Sequence, residues 1–324
     1  MSHRDAELAG AWTVGDEAAG ERLDRALAAR LGVPRSRVRS WIEAGRVRLG
    51  DAPARKAGEA LRSGSRVSWD PPPATDDRVQ PELGPLAVLW SDDDVLVLDK
   101  PADLVVHPGA GRRTGTLVHR LLAAYPELAG VGGPGRPGIV HRLDRGTTGC
   151  LVVARNRRAH EALARAFATR EIDKRYLAVV WGRPRQAFGV IDAPIGRHPA
   201  DRQRMAVRPR GRPALTRWRA LASAGPVSLV EFDLATGRTH QIRVHARHLG
   251  HPLVGDPVYG ATRERGRRDA ARRALEEFPR PALHAWRIAF PHPANGRRIE
   301  CEAAVPDDLR ALWQAATAER FPAL

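Results

Sequence analysis

Cysteine is almost missing from this chain: Cys150 and Cys301 are the only two in 324 residues. Two cysteines cannot make a disulfide framework for a chain this long, and no Cys-x-x-Cys knuckle is present to hold a metal. Neither is set up as a nucleophile, and both are expected in strands as small apolar residues. Lysine is equally scarce, with only Lys56, Lys100 and Lys174. No apolar run approaches the roughly 20 residues that a membrane-spanning helix needs. Met1-Ser2-His3-Arg4-Asp5-Ala6-Glu7 lacks the apolar core of a secretion signal. A soluble, cytoplasmic protein is expected. The glycine-rich stretch from Val131 to Gly138 lacks the Gly-Lys-Ser/Thr ending of a phosphate-binding P-loop, so it reads as a plain loop.

Positive charge is abundant. The formal net charge is +16, which points to a polyanionic partner. Coding bias can account for arginine in place of lysine but not for the excess of cations. Arginine grips phosphates at two points and stacks on bases, both of which lysine does less well. The length suits one large domain plus a small one.

The small domain is legible first. Leu23, Leu27 and Leu31 form an apolar stripe of helical period, and Gly32 is placed to end that helix. Ser36 is expected to cap a second helix carrying Val38, Trp41 and Ile42, which stops at Gly45. Val47 and Leu49 alternate as in a strand, Gly50-Asp51 marks a turn, and Val67-Ser68-Trp69 returns. Arg22, Arg35, Arg37, Arg39, Arg46 and Arg48 cluster here. They form either a solvated face or a surface for a polyanion's phosphates. Pro71-Pro72-Pro73-Ala74-Thr75-Asp76-Asp77 cannot join a helix or interior strand and reads as a semi-extended linker. The expected organisation is a flexible tail at 1–11, a small domain at 12–70, a linker at 71–86 and a large domain at 87–324.

In the large domain Val95–Leu98, Leu151–Val153, Tyr176–Val180 and Leu229–Leu234 read as strands. Helical patterns fall at Thr116–Ala124, Arg158–Ala168, Gln241–Leu249 and Asp307–Ala316. Helices and strands do not alternate strictly, which predicts an α+β fold. The charged segment 262–279 reads as a solvated helix or as a second edge for contacting the polyanion. His240, His245, His248 and His251 lie close together, and His245 with His248 can share a helical face. With no His-Glu-x-x-His and no carboxylate at ligand spacing, a metal is not expected. His240 is expected to hydrogen-bond backbone near the loop that carries Asp144.

The most informative run is His141-Arg142-Leu143-Asp144-Arg145-Gly146-Thr147-Thr148-Gly149. It places one carboxylate among arginines in a loop closed by glycines and anchored to an apolar strand. A lone aspartate in such company is commonly a surface ion pair. Here the glycines allow sharp turns and the strand gives a rigid base. Nearby cations and backbone N–H groups favour the ionised form, which can act as a nucleophile on an electrophilic carbon.

That run resembles the central motif of the RluA-type pseudouridine synthases, with Thr148 in place of the usual serine. The resemblance extends in order over residues 88 to 310. Leu98 to Pro108 is similar to the first family block, Lys174-Arg175-Tyr176-Leu177-Ala178 to the strand carrying the active-site tyrosine, and Thr236 to His245 to the third block. The third block continues through Gly255-Asp256 and Tyr259-Gly260, and Leu283-His284-Ala285-Trp286 resembles the close. Arg22-Leu23-Asp24, Ser36-Arg37 and Gly45 to Leu49 are similar to the S4 RNA-binding module.

The resemblance implies a mixed, largely antiparallel sheet with the cleft across its middle, and conversion of uridine to pseudouridine in RNA without cofactor or metal. Large-subunit ribosomal RNA is the preferred substrate and a monomer the expected state. The implied roles are Asp144 as nucleophile or base, Arg243 as its partner, Tyr176 beneath the flipped base and Arg142 in the gap the base leaves. Lys100 and Arg238 are implied for loop anchoring or phosphate contact. The rival readings are a non-catalytic RNA-binding or ribosome-assembly protein, and an RNA hydrolase or deaminase, whose zinc signature is absent.

Overall fold

A computed structural model of the chain describes residues 9–72, 79–109, 112–133, 135–201, 204–260 and 269–324. The chain divides into two compact units at position 78. In the first, β1 (Gly10–Thr13) is followed by α1 (Leu23–Leu31), α2 (Arg35–Glu43), β2 (Val47–Leu49), β3 (Ala52–Pro53) and β4 (Arg66–Trp69). The strands pair antiparallel in the order β1-β4-β2-β3. The Leu23, Leu27 and Leu31 stripe is buried with Val38, Trp41, Val47 and Val67 in one core. Gly32 ends α1 in the left-handed conformation, φ 64°, where its N–H meets the carbonyls of Ala28 and Ala29.

Two expectations for this unit are corrected. Gly10 and Ala11, placed in a flexible tail, pair with Trp69 and Ser68. Ser36 does not cap α2; the helix starts at Arg35 after Pro34, whose fixed φ of −58° leads into the first turn.

The second unit runs β5 (Ala87–Ser91), β6 (Val95–Lys100), α3 (Leu117–Ala124), β7 (Thr148–Ala154), α4 (Arg157–Thr169), β8 (Asp173–Trp181), β9 (Phe188–Asp192), β10 (Ile195–Arg197), β11 (Met205–Val207), β12 (Leu215–Ala224), β13 (Val227–Leu234), α5 (Gln241–His248), α6 (Ala270–Glu277), β14 (Leu283–Pro291), β15 (Arg298–Glu302) and α7 (Asp307–Thr317). Its main sheet has the order β5-β6-β7-β14-β8-β13-β12-β9, with β15 on β14. Every pair in it is antiparallel except β7 with β14. The α+β class and mixed, mostly antiparallel sheet are therefore as expected.

Both faces of the sheet are covered, which is why its central strands read as continuous apolar runs. Along β8, Tyr176, Ala178 and Val180 face a core shared with α3 and α5, while Leu177 and Val179 face one shared with α7. Along β6, Leu96 and Leu98 join the first core, and Val95 and Val97 pack with Leu163 of α4 on the other side. Cys150 sits in the latter core and Cys301 at its margin, as small apolar strand residues.

Residues 79–86, assigned to the linker, are held to the large unit. The Glu82 N–H donates to the His119 carbonyl at 3.0 Å, and its carboxylate accepts from the Gly115 N–H at 2.8 Å. Residues 73–78 of that linker, and 262–268 at the start of the charged segment, lie outside the described residues. The rest of that segment forms α6, capped by Asp269 and burying Leu275 beside α7.

Candidate active site

The loop from His141 to Thr147 hangs on β7 and is held from several sides. The His141 ring accepts the Val152 N–H at Nε2, 2.8 Å, and stacks on Phe167 at 4.7 Å. Burial pushes this imidazole down to about 3, helped by Lys174, so it serves as a neutral acceptor. Lys100 Nζ donates to the carbonyls of Pro101 (2.6 Å), Leu104 (2.9 Å) and Arg145 (3.4 Å). Arg280 Nη1 donates to the Gly146 carbonyl at 3.1 Å. Two buried basic side chains thus fix the backbone immediately after Asp144.

Gly149 is a position no other residue can fill. Its φ is 105°, and a Cβ there would lie 2.2 Å from the Ala285 carbonyl oxygen on β14. The absence of a side chain lets β14 come alongside β7, where Ala285 pairs with Gly149.

Asp144 meets Arg243 of α5, whose Nη1 donates to Oδ2 at 3.2 Å. Arg243 is itself held by Asp256, which accepts Nε at 2.7 Å and Nη2 at 2.8 Å. The fully buried Asp256 carboxylate also accepts the N–H groups of Val258 and Tyr259, each at 2.9 Å. Burial alone would raise this carboxyl; the Arg243 fork and the two amides outweigh it and hold it below the usual carboxylate range. The Tyr259 ring underlies the Arg243 guanidinium at 5.0 Å.

His240 caps α5 in the left-handed conformation, φ 57°, a strained backbone for a residue with a side chain. Its Nδ1 pairs with the Tyr259 hydroxyl at 2.9 Å and its Nε2 stands 3.8 Å from Asp144 Oδ2. The expected backbone partner is thus corrected: both neighbours of His240 are side chains. Burial lowers its proton affinity despite Asp144, favouring the neutral ring. Two of the remaining three histidines of the cluster are committed elsewhere. His245 bonds Thr216 and the Ala193 carbonyl, and His251 the Trp181 carbonyl.

These groups open on a cavity of about 120 Å³ lined by Arg142, Asp144, Tyr176, Arg238, His240 and Arg243 with apolar Leu143, Leu234, Ile242 and Leu283. Tyr176 forms part of the wall from β8. Burial, and to a lesser degree the charge of Asp144, pushes its phenol well above the usual tyrosine value, so it enters any reaction protonated.

A family model described as RNA pseudouridylate synthase matches residues 94–248, and an S4 domain model matches residues 21–67. The chain is 46% identical over 305 residues to the ribosomal large subunit pseudouridine synthase D of Xanthomonas campestris, covering 93% of this chain and 91% of the relative. It is 41% identical to the protein of that name from Escherichia coli K12, over 95% and 94% of the two chains. The chain belongs to the RNA pseudouridylate synthase family. Among solved structures, human RNA Pseudouridylate Synthase Domain Containing 1 matches with a TM-score of 0.58 at 29% identity, covering 75% of this chain and 94% of that one.

Within this pseudouridylate synthase the structure brings Asp144, Arg142, Tyr176, Arg238 and Arg243 around one cavity. It does not bring Lys100 there. That residue is 1% exposed and spends its donors on backbone carbonyls. Of the two roles read for it, loop anchoring fits and phosphate contact is corrected, because nothing outside can reach the ammonium.

The S4 arginines form their own group. Arg22 and Arg35 stay half exposed while both bond the buried Asp24, at 3.1 and 2.9 Å, and Arg46 pairs with Asp70 at 2.8 Å. Arg39 stands 3.9 Å from Glu43. Asp256 and Tyr259 belong to the third motif block, yet nothing local marks them as site residues. A Gly-Asp pair reads as a turn, and only the fold shows that its carboxylate points back at α5.

Proposed function

We propose that this enzyme converts specific uridines of large-subunit ribosomal RNA to pseudouridine, with Asp144 as nucleophile or base. The observation that carries the reading is the fixed Asp144 carboxylate, ion-paired at 3.2 Å to an Arg243 that Asp256 immobilises, opening on a cavity walled by Tyr176. The relatives named above supply the ribosomal substrate.

The reaction breaks N1–C1′, turns the uracil and forms C5–C1′; C5 loses a proton and N1 gains one. The uridine must leave the RNA stack to reach this cavity, at a cost of a few kcal/mol. A base stacked on Tyr176 recovers about 1–3 kcal/mol, and exposed Arg142 at the rim is placed to fill the gap in the strand. As a neutral phenol, Tyr176 passes or shares a proton rather than starting as the base. Arg243 orients the carboxylate and stabilises its charge, while Lys100 and Arg280 hold the loop in place. Arg22, Arg35, Arg37, Arg39 and Arg46 of the S4 domain supply phosphate contacts that add affinity without reading sequence. The protein acts as a cytoplasmic monomer with no cofactor.

The test is pseudouridine mapping of ribosomal RNA from cells lacking the gene, with the purified protein then added to that RNA. Loss of discrete sites that the protein restores supports the reading. Unchanged ribosomal RNA together with no isomerisation in vitro overturns it.

A further inference from the structure

A second cavity, of about 360 Å³, adjoins the first and shares Arg142, Tyr176 and Arg238 with it. Its volume is within the roughly 300–1,000 Å³ of ordinary ligand clefts. Its charge is one-sided: Arg142, Arg170, Lys174 and Arg238 line it and no carboxylate does. Lys174 is only 8% exposed, and among the described residues its ammonium has no hydrogen-bond or ion-pair partner, only the Phe167 ring at 5.7 Å. Asp173 and Asp233 act on it from a distance, but they are taken up by Arg298 and Arg217. Burial accordingly lowers the proton affinity of Lys174. An unpaired ammonium on a side chain this buried, open only to the cavity, is costly, and an anion in the cavity would offset that cost.

Geometry also says where such an anion would sit. Lys174 and Tyr176 are two apart on β8, so they face the same side of the sheet about 6–7 Å apart along the strand. That is the separation of one nucleotide's base from a neighbouring backbone phosphate. We propose that the second cavity seats one phosphodiester of the substrate RNA, beside the nucleotide whose base lies against Tyr176. This rests on the function proposed above and adds a positioning site that sets the register of the strand.

The experiment uses short RNAs containing the mapped uridine, each with one flanking phosphodiester replaced by a neutral methylphosphonate. For the unaltered enzyme, one replacement should weaken binding about tenfold or more, as expected when a charge-assisted hydrogen bond is removed. Lys174→Met should bind as weakly with that linkage charged as with it neutral, and should raise KM more than it lowers kcat. Arg170→Gly removes an exposed cation from a left-handed backbone position, φ 66°, that glycine adopts freely. It should reproduce the loss of discrimination in part, and it keeps the test decisive if Lys174→Met does not fold. If the unaltered and variant enzymes respond alike to every linkage on an RNA that the enzyme isomerises, the inference is overturned while the function stands. Inorganic phosphate is added at constant ionic strength in a further arm. Binding of that ion to the enzyme but not to Lys174→Met, with a flat linkage series, marks a free-anion site and also overturns the inference. An enzyme that isomerises no RNA fails at the earlier reading instead.

Discussion

Arg243 reaches Asp144 with only one of its nitrogens; the other two are locked to Asp256 at 2.7 and 2.8 Å. The carboxylate at the cavity therefore receives its partner from a guanidinium already fixed in plane and direction. Removing one member of a buried pair typically costs about 3–5 kcal/mol, so this arrangement makes two sharp demands on the chain. Arg243→Lys keeps the charge but cannot reproduce the fork. Its single-turnover rate should fall by about tenfold or more with RNA affinity little changed, and Arg243→Ala should fall further. Near-parental rates for Arg243→Ala would show that the pairing does not matter to the reaction.

Asp144→Asn preserves shape and removes the charge. Release of tritium from RNA labelled at uridine C5 should drop to background while the dissociation constant stays within a few-fold. Retained turnover defeats the assigned role, and lost binding makes the residue structural.

Asp256 gives a pH signature. Its folded-state proton affinity is lower than in the unfolded chain. The stability it contributes is therefore fully present above about pH 4–5 and is lost as pH falls through the depressed folded value. In urea titrations Asp256→Asn should be less stable than the parent at pH 7, with a gap that narrows steadily below about pH 4. A gap independent of pH excludes the linkage.

Lys100 runs the other way along the scale. Burial drives it down to about 7, although the charge of Asp144 opposes the shift. Between about 7 and the ordinary lysine value near 10.4 the unfolded chain binds more protons, so parental stability rises with pH across that window. Lys100→Met lacks the group, and its stability relative to the parent should fall between pH 7 and 10. Identical pH slopes for the two proteins contradict this.

In the S4 unit, Arg39→Ala combined with Arg46→Ala tests the phosphate reading. For every phosphate no longer neutralised, the log–log salt slope of RNA binding should fall by about 0.7–0.9. An unaltered slope returns both residues to an ordinary solvated face.

The legibility of fold and site in the sequence depends on how local each signal is. The α1 stripe, the Gly32 stop and the long apolar strands follow from neighbours in sequence, and they stand where periodicity puts them. Asp144, Tyr176 and Arg243 are legible through motif spelling, and the fold gathers all three at one cavity. What the sequence hides shares a physical cause. Lys100 and Lys174 look like surface cations in a basic chain, and only long-range packing buries them. Likewise Glu82 looks like linker until Gly115 and His119 are seen to hold it.

The parallel pairing of Thr148 and Gly149 with His284 and Ala285 joins segments 136 positions apart. Non-local pairings of that span pay their chain-closure entropy before the pairing rewards it, so they form late. A ribosome making this chain has emitted the Asp144 loop long before β14 exists to brace the strand that carries it. Until then β7 lacks its parallel neighbour, and the loop relies on Lys100, His141 and the β6 pairing. The S4 unit, complete much earlier in the chain, therefore precedes the brace of the site it accompanies. The parallel brace under the Asp144 loop is in place only once β14 has paired with β7.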